Sequence, residues 1–124
     1  MKSRKLRKSW VIVGWMLVGL VIYLSLIPMA PIGPAIPGID KLFHFIAYLV
    51  LTLWFAQLYS KRPVFLVFLF GFLGLGAGLE IAQSFIPQRY PEWLDFFSNG
   101  GGVLIGGFLG KTRLGNIFAK ELKE

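Results

Sequence analysis

Apolar residues run along this chain in four long stretches, at about residues 10–27, 42–59, 64–86 and 91–110, separated by short breaks that are polar or rich in proline. Each stretch approaches the ~20 residues needed to cross ~30 Å of hydrocarbon as a helix rising ~1.5 Å per residue. None alternates with the period of two that a barrel strand requires. All four are therefore expected to be helices, because a backbone surrounded by lipid must pair its N–H and C=O groups within its own segment.

The breaks agree with that division. Pro28, Pro31, Pro34, Pro37 and Gly38 make the first connection incompatible with a helix, Ser60-Lys61-Arg62-Pro63 forms a tight second, and Pro87 to Tyr90 a short third. Asp40 is placed to cap the second helix, and Pro91 suits the first turn of the fourth. Short connections join antiparallel neighbours, so the expected fold is an all-α membrane protein of four transmembrane helices arranged as two hairpins, a single domain spanning residues 1–124.

Composition supports the bilayer as solvent: 56% of the 124 residues are hydrophobic, and the mean hydropathy is +0.67. That length holds one small bundle and excludes separate cofactor and substrate domains. With no Cys and a single His, disulfides and thiolate chemistry are excluded and a Cys/His zinc site is not expected. A net charge of +7 would suggest nucleic acid in a soluble protein, but here the basic residues lie between apolar runs and read as topology signals. Lys2, Arg4, Lys5, Arg7 and Lys8 precede the first run, Lys61 and Arg62 follow the second, and Lys111, Arg113, Lys120 and Lys123 follow the fourth. Only Lys41 and Arg89 fall on the opposite side. Both termini are accordingly expected in the cytoplasm, in a multi-pass inner-membrane protein. The first run is too long for a signal-peptide core and is followed by no A-x-A site, so it is expected to be retained. Leu114, Phe118 and Leu122 recur among charges as on an amphipathic surface helix, so a cytoplasmic tail at 111–124 is expected to lie on the inner surface, with a frayed, partly disordered tail as the equal alternative.

Small and aromatic residues have bland roles. Trp10, Tyr59, Tyr90 and Trp93 sit at the ends of runs, where amphipathic rings anchor at headgroups. Gly71, Gly74 and Gly78 in the third run, and Gly102, Gly106 and Gly110 in the fourth, are spaced to let helix backbones approach. Packing within one subunit is the favoured use; a homo-oligomer through the glycine face is the alternative.

The polar residues inside these runs carry the functional expectation. In any up-and-down arrangement the start of the second helix, the end of the third and the start of the fourth share one membrane face. Counting ~1.5 Å per residue from the helix ends puts His44, Glu80, Asp95 and Asn99 roughly 6 to 12 Å below that surface. Asp40, His44 and Tyr48, Glu80 and Gln83, and Asp95 and Asn99 each share a face of their helix. A charge facing lipid near a helix centre costs roughly 2.5 to 3.5 kcal/mol, so the three faces are expected to converge on an interior pocket. Arg89 lies just outside it. Hydrogen bonds that merely hold helices in register are the competing reading for Gln83 and Asn99. Such bonds average only ~0.6 kcal/mol, little beside the burial of two carboxylates, so Glu80 and Asp95 favour function.

These motifs resemble those of the VanZ-like membrane proteins. The likeness runs from Leu24-Ser25-Leu26-Ile27-Pro28 through Asp40-Lys41-x-x-His44-Phe45-x-x-Tyr48 and Glu80-x-x-Gln83-x-x-x-Pro87-x-Arg89. It continues to Asp95-x-x-x-Asn99-x-x-Gly102-x-x-x-Gly106, and so covers about residues 24–110. Gln88 departs from the glycine common before this arginine. The family takes its name from a protein associated with resistance to the glycopeptide teicoplanin, so the resemblance implies a role at the cell envelope and no particular reaction.

The first functional expectation is an outward-facing site that binds or modifies an envelope lipid or a lipid-linked wall precursor. Arg89 and Lys41 would engage phosphate, with Asp40, Tyr48, Gln83 and Asn99 completing the binding set, and Glu80, His44 and Asp95 would orient groups or move protons. Neither a metal nor another cofactor is expected, although Asp40, Glu80 and Asp95 together offer oxygen ligands of a kind a divalent ion accepts. The second is a non-enzymatic scaffold assembling through its glycine-rich helices. A third is a proton-coupled transporter using Glu80 and His44.

Overall fold

A computed structural model of the chain describes residues 2–26, 39–59, 61–86 and 93–112. They form four helices: α1, Lys2–Leu26; α2, Ile39–Leu58; α3, Arg62–Gln83; and α4, Trp93–Gly110. All four expected runs are helical. α1 begins well before Trp10, because the basic segment extends the helix beyond its apolar part. Pro63 occupies the first turn of α3, where the missing N–H leaves no bond unmade. The Asp40 side chain, Pro91, the loop prolines and the amphipathic tail from 113 onward lie outside the described residues.

Three helices, α1 over Arg4–Leu26, α2 over Lys41–Leu58 and α3 over Arg62–Gln83, are long and apolar enough to cross a membrane, and the chain is compatible with a multi-pass membrane protein. α4 is not among them. Asp95, Asn99 and its many glycines dilute the apolar content of a helix of 18 residues.

The helices alternate in direction. Arg7 on α1 donates to the Leu58 carbonyl at the far end of α2, while Ser25 at the other end of α1 meets Gln83 on α3. α2 and α3 each touch all three other helices, whereas α1 and α4 do not meet among the described residues. The tightest pairing joins helices that are not neighbours in sequence, α2 with α4, which run parallel.

That pairing is made by glycine. A Cβ on Gly102 would collide with the Phe45 carbonyl oxygen, one on Gly106 would lie 2.7 Å from the Leu49 carbonyl oxygen, and one on Gly110 would lie 2.6 Å from the Ala56 Cβ. The face at Gly102, Gly106 and Gly110 is thus used within the subunit. The expectation for α3 is corrected. Gly71, Gly74 and Gly78 have nothing within 4 Å of an added Cβ; Gly76 is the α3 glycine that packs, against Asn99 and Tyr48.

Away from the polar end the core is aromatic. Phe55, Leu51 and Val103 are fully buried, and Phe55 stacks on Phe68 at 4.9 Å and meets Phe72 edge-on at 5.3 Å. Trp10 stacks on Trp54 at 3.9 Å and Tyr59 on Phe68 at 4.7 Å, so these two rings are packing groups as much as anchors. Val67, Phe70, Ile81, Phe97 and Phe108 face outward, as suits a bundle whose solvent is lipid.

Overpacking a close helix contact costs about 1–3 kcal/mol. Gly106→Ala is therefore expected to lower the thermal unfolding midpoint in detergent, whereas Gly74→Ala, which meets open space, should leave it unchanged or raise it. Equal effects of the two substitutions would contradict this packing.

Candidate functional site

The end of the bundle where α2 and α4 begin and α3 ends gathers the polar residues. A helical Cα–Cβ bond tilts toward the helix N-terminus. His44 and Asp95 therefore lean toward the mouth of the bundle, and Glu80, on the antiparallel helix, leans inward.

The three side chains meet. One ligand-capable atom from each of His44, Glu80 and Asp95 lies within 4.8 Å of the others, with Glu80 and Asp95 buried and His44 partly exposed. Lys41 Nζ stands 3.5 Å from Asp95 Oδ1, and His44 Nδ1 stands 3.8 Å from the same oxygen. Asp95 is thus the hub, approached by a cation and an imidazole from successive turns of α2. The convergence expected of the three helix faces is present in the described residues.

One turn deeper lies a second layer. Tyr48 is 3% exposed and Asn99 5%, and both abut Gly76, whose added Cβ would sit 3.1 Å from the Asn99 Cβ and 3.5 Å from Tyr48 Cε1. Tyr48 is also within electrostatic reach of Glu80. Among the described residues, the Tyr48 hydroxyl and Asn99 Oδ1 have no hydrogen-bond partner.

Gln83 sits differently from the others. Its amide donates a 2.9 Å hydrogen bond to the Ser25 carbonyl, pinning the end of α1 to α3. Arg89 and the Asp40 side chain lie outside the described residues. The packing of Gly76 and the use of the Ser25 carbonyl are not among the expectations drawn from the sequence. Gly76 stands four residues before Glu80 on the same helix face, a signal that was available. The Ser25 contribution is a backbone carbonyl at a helix end, which no residue type announces.

The set can bind a cation through two carboxylates and an imidazole, engage an anionic headgroup through Lys41 at the rim, or exchange protons between His44 and a carboxylate. No family model, curated protein or solved structure matches the chain.

A buried hydroxyl without a partner costs about 1–3 kcal/mol. Tyr48→Phe is accordingly expected to raise the stability of the ligand-free protein by about 1 kcal/mol, read as a higher unfolding midpoint in detergent. A drop of that size would mean that the hydroxyl is satisfied.

Proposed function

We propose that this chain is a VanZ-like protein of the inner membrane, with four spans and both termini cytoplasmic. Its polar pocket opens on the outer face and binds the phosphate-bearing headgroup of an envelope lipid or a lipid-linked wall precursor. The observation that carries this reading is the meeting of His44, Glu80 and Asp95 from three different helices, with Lys41 on Asp95, at one end of an apolar bundle.

The distribution of charge supports the orientation. Arg7 at the Leu58 carbonyl, Lys61, Arg62, and Lys111 over the Phe65 ring mark the end opposite the pocket, and short cytoplasmic segments are enriched in such residues. The pocket end then faces out. Lys41 guards its rim, and Arg89, which follows α3 in the sequence, is the second phosphate ligand of this reading; a guanidinium suits phosphate because its planar fork makes paired, charge-assisted bonds. Glu80 and His44 are the groups that move a proton if the bound lipid is modified. A lipid-linked precursor held here would be withdrawn from, or altered before, recognition by glycopeptides, which is how this reading connects to antibiotic susceptibility.

Two measurements test it. Because the chain has no Cys, single cysteines report topology cleanly. A membrane-impermeant maleimide on intact cells is expected to label Gln88→Cys and to spare Ser60→Cys; the reverse pattern removes the outward-facing pocket. In nanodiscs, the native chain is expected to retain anionic envelope lipids through purification, Arg89→Ala to lose them, and Glu80→Gln to keep them. Unchanged retention by Arg89→Ala would end the phosphate reading.

A further inference from the structure

We infer that His44, Glu80 and Asp95 form a binding site for one divalent transition-metal ion. The inference concerns the same pocket but needs no lipid to be bound there.

Geometry supplies the first argument. An ion with ligands at about 2.0–2.2 Å holds its donor atoms roughly 3 to 4 Å apart. The three donors here already lie within 4.8 Å of one another, so small side-chain rotations complete the set. They come from three helices whose spacing is fixed by glycine contacts at Gly102, Gly106 and Gly76. A rigid frame with short adjustable side chains is the arrangement that metal sites in helix bundles use.

The second argument is independent of the acidic pair. Tyr48 and Asn99 are more than nine-tenths buried, and the Tyr48 hydroxyl and Asn99 Oδ1 have no hydrogen-bond partner among the described residues. α2 and α4 both start at the pocket end, so these side chains lean from the layer below toward His44 and Asp95. Native proteins rarely leave buried polar atoms unmet without a ligand to meet them. An ion carrying one or two waters would present hydrogens to both oxygens and complete the layer.

Donor chemistry selects the class of ion. One imidazole nitrogen with two carboxylates suits Zn²⁺, Mn²⁺ or Fe²⁺ better than Mg²⁺ or Ca²⁺, which favour all-oxygen sets. Three protein ligands also leave a coordination position open. A phosphate oxygen is the natural occupant of that position if the headgroup reading above is correct. Lys41, 3.5 Å from Asp95, competes with the ion for this carboxylate and would turn to the rim when it binds.

The experiment uses the full chain without a polyhistidine tag, in lipid-free detergent, stripped with a chelator and titrated calorimetrically with Zn²⁺, Mn²⁺ and Mg²⁺. One saturable equivalent of Zn²⁺ or Mn²⁺ is expected, with no binding of Mg²⁺ at the same concentrations. His44→Gln, Glu80→Gln and Asp95→Asn should each weaken the affinity by at least the roughly 10- to 100-fold typical of losing a contact that supports a ligand. Because a ligand substitution can unfold the bundle, the native chain is also loaded with Co²⁺. Visible d–d bands of a nitrogen- and oxygen-ligated ion, removed by competing Zn²⁺, are expected. Absence of stoichiometric binding to the folded native chain, or retention of the Co²⁺ spectrum in folded His44→Gln, overturns the site. The lipid-retention measurement is repeated in chelator, so a failure of the metal and a failure of the headgroup are read separately.

Discussion

The close approach of α2 and α4 is the contact on which the rest of this molecule depends. Lipid tails are as apolar as leucine, so helices in a bilayer gain little by hiding apolar surface and associate where backbones can come near enough for dispersion and polar contact. Gly102, Gly106 and Gly110 provide that opportunity along the C-terminal half of α4, each against a backbone or small-residue position of α2. The seam also fixes register. A slip of one helical turn would carry Asp95 about 5.4 Å along α2, enough to separate it from Lys41 and His44, which now stand 3.5 and 3.8 Å away.

The seam explains how a bundle this small tolerates its polar residues. Interhelical hydrogen bonds in membranes are worth ~0.6 kcal/mol on average, too little to assemble helices against the cost of burying Glu80 and Asp95. The direction of cause is therefore from packing to chemistry. Glycine contact brings the helices together, Gly76 admits Tyr48 and Asn99 beside α3, and the carboxylates are carried to one another by geometry set elsewhere. The Tyr48 hydroxyl and Asn99 Oδ1 are held in this way without a hydrogen-bond partner among the described residues, which is the condition under which a ligand gains most by entering.

Alternation of four apolar runs was enough to say that the starts of α2 and α4 and the end of α3 share one end of the bundle, and four-residue spacing was enough to turn His44 and Asp95 to the same interior. What could not be read was which helix pairs with which. In water, an apolar stripe marks the buried face, but in lipid both the buried and the exposed faces are apolar, so periodicity loses its meaning. That is why Gly71, Gly74 and Gly78 looked like packing positions although they face open space, and why Gly76 escaped notice. Nor does periodicity tell that α2 packs chiefly against α4, a contact that antiparallel hairpins allow without requiring it.

α4 shows how the fold and the site constrain each other. It fails to qualify as a span by average apolarity because Asp95, Asn99 and its glycines are counted as though they faced the surroundings. They do not. Asp95, Asn99, Gly102 and Gly106 are buried against α2 and α3, while Phe97, Leu104, Ile105 and Phe108 face outward. The surface that α4 would offer to lipid is as apolar as that of its neighbours, provided that α2 is already in place to receive the rest. On the proposed topology, insertion of α4 and completion of the pocket are one event. The residues that disqualify the helix when it is taken alone are those that form the site, and the proposed fourth span and the proposed site stand or fall together.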